Sequence, residues 1–175
     1  MIILEDTRQQ AGKHDKKHEY FSQHGIKIDR CKLYCGDYTL PTNQKVCIDT
    51  KKDIQELIGD ICGKQHERFR RECMRAKESG IRLIVLVENS KEWVCKSKNI
   101  YNTPVRSIQD LFHWVNKRSF IWKNGKQAYP NATKGGTLAK ACMTMEAKYG
   151  VEFRFCLPEE SGKIIVDILT GAQYE

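Results

Sequence analysis

Three charged side chains in the first third of the chain have the types and spacing needed for hydrolytic chemistry. Asp37 and Asp49 flank residues 41–44 (Pro-Thr-Asn-Gln), whose composition is typical of a turn, and Lys51 follows Asp49 by two positions. If the flanking segments form a hairpin centred on Asn43, the two aspartates are cross-strand partners with Cβ atoms about 4.5–5.5 Å apart. Lys51 then shares a face with Asp49, because side chains alternate along a strand.

Two opposed carboxylates repel each other unless a positive charge lies between them. A hard divalent cation such as Mg²⁺ binds carboxylates while it keeps several waters. Such an ion polarises a phosphoryl oxygen and lowers the pKa of a water, which the lysine can orient or deprotonate. The pattern therefore predicts metal-assisted hydrolysis of a phosphodiester. The alternative is an ordinary cross-strand Lys–Asp pair on a solvated face.

The hydrophobic pattern of the first half predicts the elements that position these residues. We expect strands over residues 2–5, 33–40 and 45–51, a helix over 13–24, a helix over 53–78 and a strand over 81–87. In the longer helix, apolar residues recur at i, i+3, i+4 and i+7 from Ile54, Asp53 is the N-cap, and the helix is expected to break near Gly63. A strand, a long helix and a strand buried on both faces form a βαβ crossover, so the fold class is α/β.

The second half predicts further elements of the same unit. We expect a helix over residues 107–117, with Ile108, Leu111, Phe112 and Val115 on one face, and a tight turn at Asn124-Gly125. A helix over 137–149, a strand over 151–157 and a helix over 159–169 follow. With no repeat and no evident linker, residues 1–175 are expected to form one domain, in which 89–175 complete the core.

Four segments in order resemble the XPF-type (ERCC4-domain) nucleases of the PD-(D/E)xK superfamily, which have a restriction-endonuclease-like fold. They are Ile2-Ile3-Leu4-Glu5-Asp6-Thr7-Arg8, Gly36-Asp37-Tyr38, Ile48-Asp49-Thr50-Lys51 and, after a helix, Leu83-Ile84-Val85-Leu86-Val87-Glu88. The match covers residues 2–88. It implies a mixed central sheet flanked by helices.

The resemblance also implies roles for individual residues. Asp37 and Asp49 would bind Mg²⁺ or Mn²⁺, with the Thr50 carbonyl as a further ligand, and Lys51 would be the catalytic lysine. Asp6 would be an additional acid of the site, counted among both the catalytic and the metal-binding residues. Arg8 would contact phosphate or hold the acids in place.

The chain departs from the family pattern in three respects. Asp49-Thr50-Lys51 stands where the family has Glu-Arg-Lys, so the charges of the acid and the lysine are kept and the arginine is lost. The Arg and Gln of the family's following helix have no clear match in residues 63–70. A tandem helix-hairpin-helix domain is not expected, which leaves the family's preference for branched DNA open.

Charge and composition point to a nucleic-acid partner. Thirty Lys and Arg against 22 Asp and Glu give a net charge of +8, and no segment is apolar enough to span a membrane. A cytoplasmic location with eight reduced cysteines is expected. A zinc site built from Cys31, Cys35, His14 and His18 is the weakest alternative, because the spacing of these residues is loose for zinc.

Two basic segments could contact nucleic acid. Lys64, Arg68, Arg71 and Arg75 follow one helical face, although Arg68–Glu72 and Glu67–Arg71 ion pairs explain that spacing equally well. Residues 122–129 interleave Trp122, Tyr129 and lysines, as a loop that stacks on bases would, or as a plain hairpin would.

The expected function is therefore a Mg²⁺-dependent endonuclease acting on duplex or branched DNA, and the resemblance implies that it leaves a 5′-phosphate. By resemblance, its context is bacterial or phage recombination or repair, with a junction resolvase as one candidate. Resolving a junction needs two active sites, so a homodimer is expected in that case. A non-catalytic DNA-binding module and an RNA-directed nuclease are the alternatives.

Overall fold

A computed structural model describes residues 1–9 and 15–172. The strands are β1 (Ile2–Asp6), β2 (Lys27–Cys31), β3 (Tyr38–Leu40), β4 (Asn43–Lys51), β5 (Arg82–Glu88), β6 (Glu92–Cys95), β7 (Ile100–Asn102), β8 (Trp122–Lys123), β9 (Lys126–Gln127) and β10 (Glu152–Cys156). The α-helices are α1 (Asp15–Gln23), α2 (Ile54–Ile61), α3 (His66–Glu78), α4 (Gly135–Tyr149) and α5 (Ser161–Thr170). Part of the helix predicted over 13–24 lies outside the described residues.

Six strands form one mixed sheet in the order β10-β5-β4-β3-β1-β2. β4, β5 and β10 run parallel, β3 is antiparallel to both of its neighbours, and β1 pairs with β2 in parallel. The predicted crossover is thus confirmed, since β4 is joined to the parallel strand β5 by α2 and α3. The fold is the α/β class with a mixed central sheet that the sequence predicts.

Helices cover both faces of the sheet. Along β5, Leu83, Val85 and Val87 pack into a core with α2, α3 and α4, whereas Ile84 and Leu86 pack into a second core with α1 and α5. All five side chains are buried, which explains the unbroken apolar run. The side chains of β4 on the α2–α3 face are the ones that form the candidate site.

The long helix breaks where the sequence predicts. Asp53 caps α2 by accepting a hydrogen bond from the Glu56 amide at 2.7 Å, and the chain turns between Ile61 and His66 before α3 begins. A Cβ at Gly63 would lie 2.7 Å from the Gly59 carbonyl oxygen, so the turn requires glycine there. The break gives α2 and α3 separate orientations over β4.

The helix predicted over 107–117 is wrong, because the segment contains only short 3₁₀ turns over Gln109–Phe112 and Lys117–Phe120. The buried residues are Val105, Ile108, Leu111 and Trp114, whereas Phe112 and Val115 are exposed. The four buried residues recur every three positions, which is the period of a 3₁₀ helix. The predicted helix assumed the α-helical period instead. The Asn102 side chain also bonds both the amide and the carbonyl of Val115, which holds that end in an extended turn.

The remaining predicted elements of the second half are present. Asn124 and Gly125 form the turn between β8 and β9, both with positive φ (50° and 72°), and α4, β10 and α5 follow within a few residues of their predicted bounds. Across residues 1–9 and 15–172, no helix is both long enough and apolar enough to cross a membrane.

Candidate active site

The hairpin of β3 and β4 brings the two predicted acids together. Tyr38 pairs with Ile48, the register that the sequence predicts, and the Asp37 amide donates to the Ile48 carbonyl at 2.7 Å. Near the turn the prediction is wrong: Leu40 pairs with Asn43, because a bulge shifts the register after Tyr38. The turn is therefore not centred on Asn43, and the bulge leaves the pairing beside Asp37 unchanged.

Gly36 sets the position of Asp37. Its φ is +68°, and a Cβ there would lie 2.9 Å from the Ile48 carbonyl oxygen. The Gly36 amide donates to the Glu72 carboxylate of α3 at 2.9 Å. The Gly-Asp-Tyr sequence thus provides both a left-handed backbone and a close approach to β4, which only glycine allows without strain.

The carboxylate of Asp37 is held by Thr50, the residue that follows Asp49 on β4. Its Oδ2 accepts hydrogen bonds from the Thr50 amide at 2.7 Å and from the Thr50 hydroxyl at 2.8 Å. The Asp37 side chain is therefore fixed at the C-terminal end of β4, where Asp49 and Lys51 also lie.

Lys51 lies between two carboxylates. Its Nζ is 2.7 Å from Asp49 Oδ2 on its own strand and 2.6 Å from Asp60 Oδ2 on α2. The same Nζ is 5.4 Å from the ring centroid of Phe69 on α3. Three elements thus fix the ammonium group, and all three charged side chains are buried.

Burial shifts the pKa values of these groups. It raises the pKa of Asp49 to about 8, against the lowering effect of Lys51, and the Asp37 charge contributes to the rise. Burial also raises the pKa of Asp37, although the Thr50 amide and Lys51 oppose that rise. For Lys51, burial disfavours the charged form, but Asp49 and Asp60 outweigh it and raise its pKa. Two closely spaced carboxylates are thus costly to keep charged without a further cation.

These residues open into a cleft of about 540 Å³. Its wall contains Asp37, Asp49, Thr50 and Lys51, and it is rimmed by four cationic side chains, Arg8, Lys52, Arg68 and Arg75. A buried ion pair between Lys17 of α1 and Glu88 at the end of β5 closes another side. Glu56 and Glu72 also line the cleft, so it combines the acids of the site with arginine and lysine side chains that can contact a phosphodiester.

Asp6 has a different position from the one expected. Its oxygens accept two hydrogen bonds from the Arg8 guanidinium, at 2.8 and 2.7 Å, and two more from the amides of Arg8 and Leu33. Asp6 is buried and is not part of the cleft wall, whereas Arg8 is. The geometry thus makes Asp6 the residue that orients Arg8. The position of Asp6 does not support the expectation that it binds the metal.

The basic helix face is divided. Arg68 lines the cleft, and so does Arg75, one helical turn beyond Arg71. Lys64 and Arg71 are not part of the cleft wall, and Arg71 lies near Glu67, with Nε 3.6 Å from Oε1. Of the four basic residues predicted on this helical face, the structure thus brings Arg68 and Arg75 to the site.

The residues present fit a divalent ion that keeps most of its waters. A carboxylate can accept about four hydrogen bonds. Asp49 Oδ2 contacts Lys51 Nζ, and Asp37 bonds Thr50 through Oδ2 and also bonds the Gln9 side chain, so both acids keep further acceptor sites. Two carboxylates with spare acceptor capacity suit Mg²⁺ or Mn²⁺. In residues 1–9 and 15–172, no group of three or more His, Cys, Asp or Glu is arranged to hold a metal. This also gives no support to the zinc alternative, of which His14 lies outside the described residues.

Sequence analysis did not identify Asp60, Glu72, Lys17 or Glu88 as parts of the site. The position of Asp60 could have been predicted from the sequence, because Asp60 follows Leu57 by three positions and so lies on the buried side of α2. An acid there needs a cation. The Lys17–Glu88 pair could not have been predicted from a local pattern, since it joins α1 to the far end of β5 across 71 positions of sequence.

Comparisons with known proteins agree with this fold. The family model described as the ERCC4 domain matches residues 6–168. Two solved structures of XPF from Aeropyrum pernix are similar to this chain, one of them a complex with DNA. Their TM-scores are 0.62 and 0.61, at 12% and 13% identity, with 98% of this chain covered in both. The match spans 65% and 64% of those two chains. No curated protein matches.

Proposed function

This chain belongs to the ERCC4 domain family, and from that premise we propose that it is a divalent-metal-dependent DNA endonuclease that hydrolyses phosphodiester bonds. One observation carries the proposal. Asp37, directly before β3, and Asp49 and Lys51, on the paired strand β4, meet in one cleft that Arg8, Arg68 and Arg75 also line. A fold can be shared by unrelated activities, so the argument rests on this site and not on the fold alone.

Asp37 and Asp49 are the proposed ligands of Mg²⁺ or Mn²⁺, and the Thr50 carbonyl is a further candidate. When bound, the ion would supply Lewis-acid polarisation of the phosphate and a lower pKa for the attacking water. Thr50 fixes Asp37, and Lys51 fixes Asp49. Lys51 also offers its positive charge to the phosphate, and Asp60 holds it in place. Asp6 is assigned a positioning role through Arg8.

Arg8, Arg68 and Arg75 are the proposed phosphate contacts, because each lines the cleft that contains the acids. Family membership supports DNA as the substrate, and the similar XPF structure in complex with DNA agrees with that choice. Duplex or branched DNA in phage or bacterial recombination or repair remains our specific proposal. By the superfamily resemblance, water attack in line at phosphorus would break the P–O3′ bond, so that the 3′ oxygen leaves as a hydroxyl and the phosphate stays on the 5′ end.

Cleavage of a labelled panel tests this proposal. The panel holds single-stranded, duplex, flap, fork and four-way-junction DNA, with matched RNA, in Mg²⁺ and in EDTA. Lys51→Ala is compared with Lys45→Ala, a lysine on the same strand whose Nζ bonds the Ser79 carbonyl away from the cleft. We expect Mg²⁺-dependent DNA cleavage that Lys51→Ala lowers by roughly 10²-fold or more and Lys45→Ala leaves intact.

Three outcomes would contradict it. Binding of DNA without cleavage of any substrate would favour the non-catalytic binding module. Preferential cleavage of RNA would favour an RNA-directed nuclease. Equal losses from both lysine substitutions would remove Lys51 from the chemistry.

A further inference from the structure

Most of the net charge of the chain lies in one segment outside the cleft. Residues 91–134 contain nine Lys and Arg and two acids, Glu92 and Asp110. They therefore carry seven of the eight net positive charges. The segment contains the β6–β7 and β8–β9 hairpins, neither of which belongs to the six-stranded sheet.

Aromatic rings are exposed on both hairpins. Trp122 is 66% exposed at the base of β8, and Trp93 and Tyr101 are each 44% exposed on β6 and β7. Trp93 and Tyr101 are cross-strand partners with ring centroids 5.5 Å apart. Burying such rings is normally favourable, so three rings left in water on one basic segment are available to bind planar groups.

Lysines accompany these rings. Lys91 Nζ lies 4.3 Å from the Tyr101 ring centroid and 5.9 Å from that of Trp93. At the tip of the second hairpin, Lys123 and Lys126 are directly opposed across the two strands. Like charges in that position destabilise a hairpin, and a bound anion would remove the repulsion.

The two hairpins are neighbours. Lys98 on the first lies with its Nζ 5.7 Å from the ring of Phe120, which precedes Trp122 by two residues. Lys117 forms an ion pair with Glu92 of β6. We call Trp93, Tyr101, Trp122 and their lysines (Lys91, Lys123 and Lys126) the stacking surface.

A groove connects the stacking surface to the candidate active site. Its volume is about 170 Å³, and its walls include Lys52, Lys91 and Lys117. Lys52 also lines the active-site cleft. Lysines thus line the groove between the active-site cleft and the aromatic rings, together with Asp53 and Glu92.

We propose that the stacking surface binds an unpaired stretch of the DNA substrate by stacking its bases on Trp93, Tyr101 and Trp122. Exposed aromatic rings beside lysines are the features with which proteins hold single strands, because every base has a face that can stack. In duplex DNA these faces are already covered. The proposal deepens the proposed function, on which it rests, by assigning the recognition of an unpaired strand next to the cutting site.

The test measures binding without cleavage. Fluorescence anisotropy in EDTA follows a labelled oligo(dT) and a blunt duplex of equal length on the full chain. We expect Trp122→Ala and Trp93→Ala each to weaken oligo(dT) binding by about 5-fold or more, and duplex binding by less than 2-fold. Trp122→Phe keeps a ring and should retain the affinity. Tyr34→Ala is the matched control, because Tyr34 is 60% exposed but lies beside Ser79, away from residues 91–134.

Two further readouts separate stacking from charge alone. Trp114 is buried, so quenching of tryptophan fluorescence by oligo(dT) should come from Trp93 and Trp122 and should be largely lost when both are replaced by Phe. Lys126→Gln should reduce the slope of log affinity against log salt by about 0.7.

Equal weakening of duplex and single-strand binding in Trp122→Ala would overturn the proposal, as would unchanged oligo(dT) binding in both Trp→Ala variants. The binding test does not measure cleavage, so the two proposals can fail separately. If the protein stacks DNA here but cuts nothing in the cleavage panel, this inference stands and the proposed nuclease activity is refuted. A protein that cuts normally with both tryptophans replaced, and binds oligo(dT) unchanged, would do the reverse.

Discussion

Lys51 Nζ lies 2.6 Å from Asp60 Oδ2, so the ammonium group at the centre of the candidate site is shared between its own strand and the following helix. Strand β4 alone would present a lysine beside an aspartate, which is a common surface arrangement. The contact with α2 buries that pair and fixes its direction. The site is therefore a product of the β4–α2 connection as much as of the sequence Asp-Thr-Lys.

Asp60→Asn should impair the site through Lys51. The neutral amide removes one of two charges around a buried ammonium, so we expect the free energy of unfolding to fall by about 1–3 kcal/mol. Cleavage should fall roughly 10–100-fold, as for other residues that hold a functional side chain in place without contacting the ligand themselves. Denaturant unfolding and the cleavage panel measure the two effects.

Asp53→Asn is the control for that substitution, because it makes the same chemical change on the same helix while asparagine still caps it. If both variants lose stability and cleavage equally, the contact between Asp60 and Lys51 has no special role.

Asp37→Asn should separate metal binding from folding. The amide oxygen can still accept the Thr50 hydrogen bonds, and the change removes the charge of a half-buried acid that repels the buried Asp49. We expect an unchanged or higher melting temperature without metal, and loss of the rise in melting temperature that Mg²⁺ produces in the parent protein. Thermal unfolding with and without Mg²⁺ measures this, with Asp29→Asn on β2 as control. A full Mg²⁺-dependent rise in Asp37→Asn would remove Asp37 from the ligand set.

Gly36→Ala should be far more costly than Gly25→Ala. Both glycines have positive φ, +68° and +63°, but only a Cβ at Gly36 meets neighbouring atoms. We expect Gly25→Ala to cost about 1 kcal/mol of backbone strain and Gly36→Ala to cost at least about 2 kcal/mol, with displacement of Asp37. Denaturant unfolding compares the two variants. Equal losses would mean that the close approach to Ile48 relaxes easily.

Asp6→Asn should destabilise the protein in a pH-dependent way. Burial raises the pKa of Asp6, but hydrogen bonds from Arg8 and Leu33 outweigh it and lower that pKa overall. A carboxyl group whose pKa is lower in the folded state contributes stability above its unfolded pKa, and that contribution is lost as the pH falls through the folded value. The gap in unfolding free energy between parent and variant should therefore be largest at neutral pH and close in acid. A gap that stays constant down to strongly acidic pH would contradict the assignment.

Size-exclusion chromatography with light scattering tests the expected homodimer. Resolution of a four-way junction needs two cuts, so a junction resolvase with one such site in each chain should be dimeric when bound to DNA. A monomer both with and without a junction would contradict that role and leave cleavage of flaps or forks as the alternative.

Local patterns in the sequence predicted much of the site. The register that places Asp37 beside Asp49, the cap at Asp53 and the buried strand β5 each follow from residues close together in the chain. Such features depend on turn composition and on hydrophobic period, which a single sequence shows directly.

Long-range pairing explains what could not be predicted. Lys17 meets Glu88 only because α1 packs over the end of β5, and Asp6 accepts a hydrogen bond from the Leu33 amide because the chain after β2 returns to β1. The helix predicted over 107–117 failed for another reason. Ile108 and Leu111 are compatible with both helical periods, and only the burial of Val105 and Trp114 shows that the period is three.

The burial of β5 on both faces determines when the candidate site is lost during unfolding. β4, which carries Asp49 and Lys51, pairs with β3 on one side and with β5 on the other, whereas β2 and β10 form the edges of the sheet. Openings that release an edge strand leave the β4–β5 ladder intact, so amide hydrogens of these two strands should exchange only through global opening. The acids and the lysine should therefore keep their arrangement in partly opened forms until the whole structure unfolds.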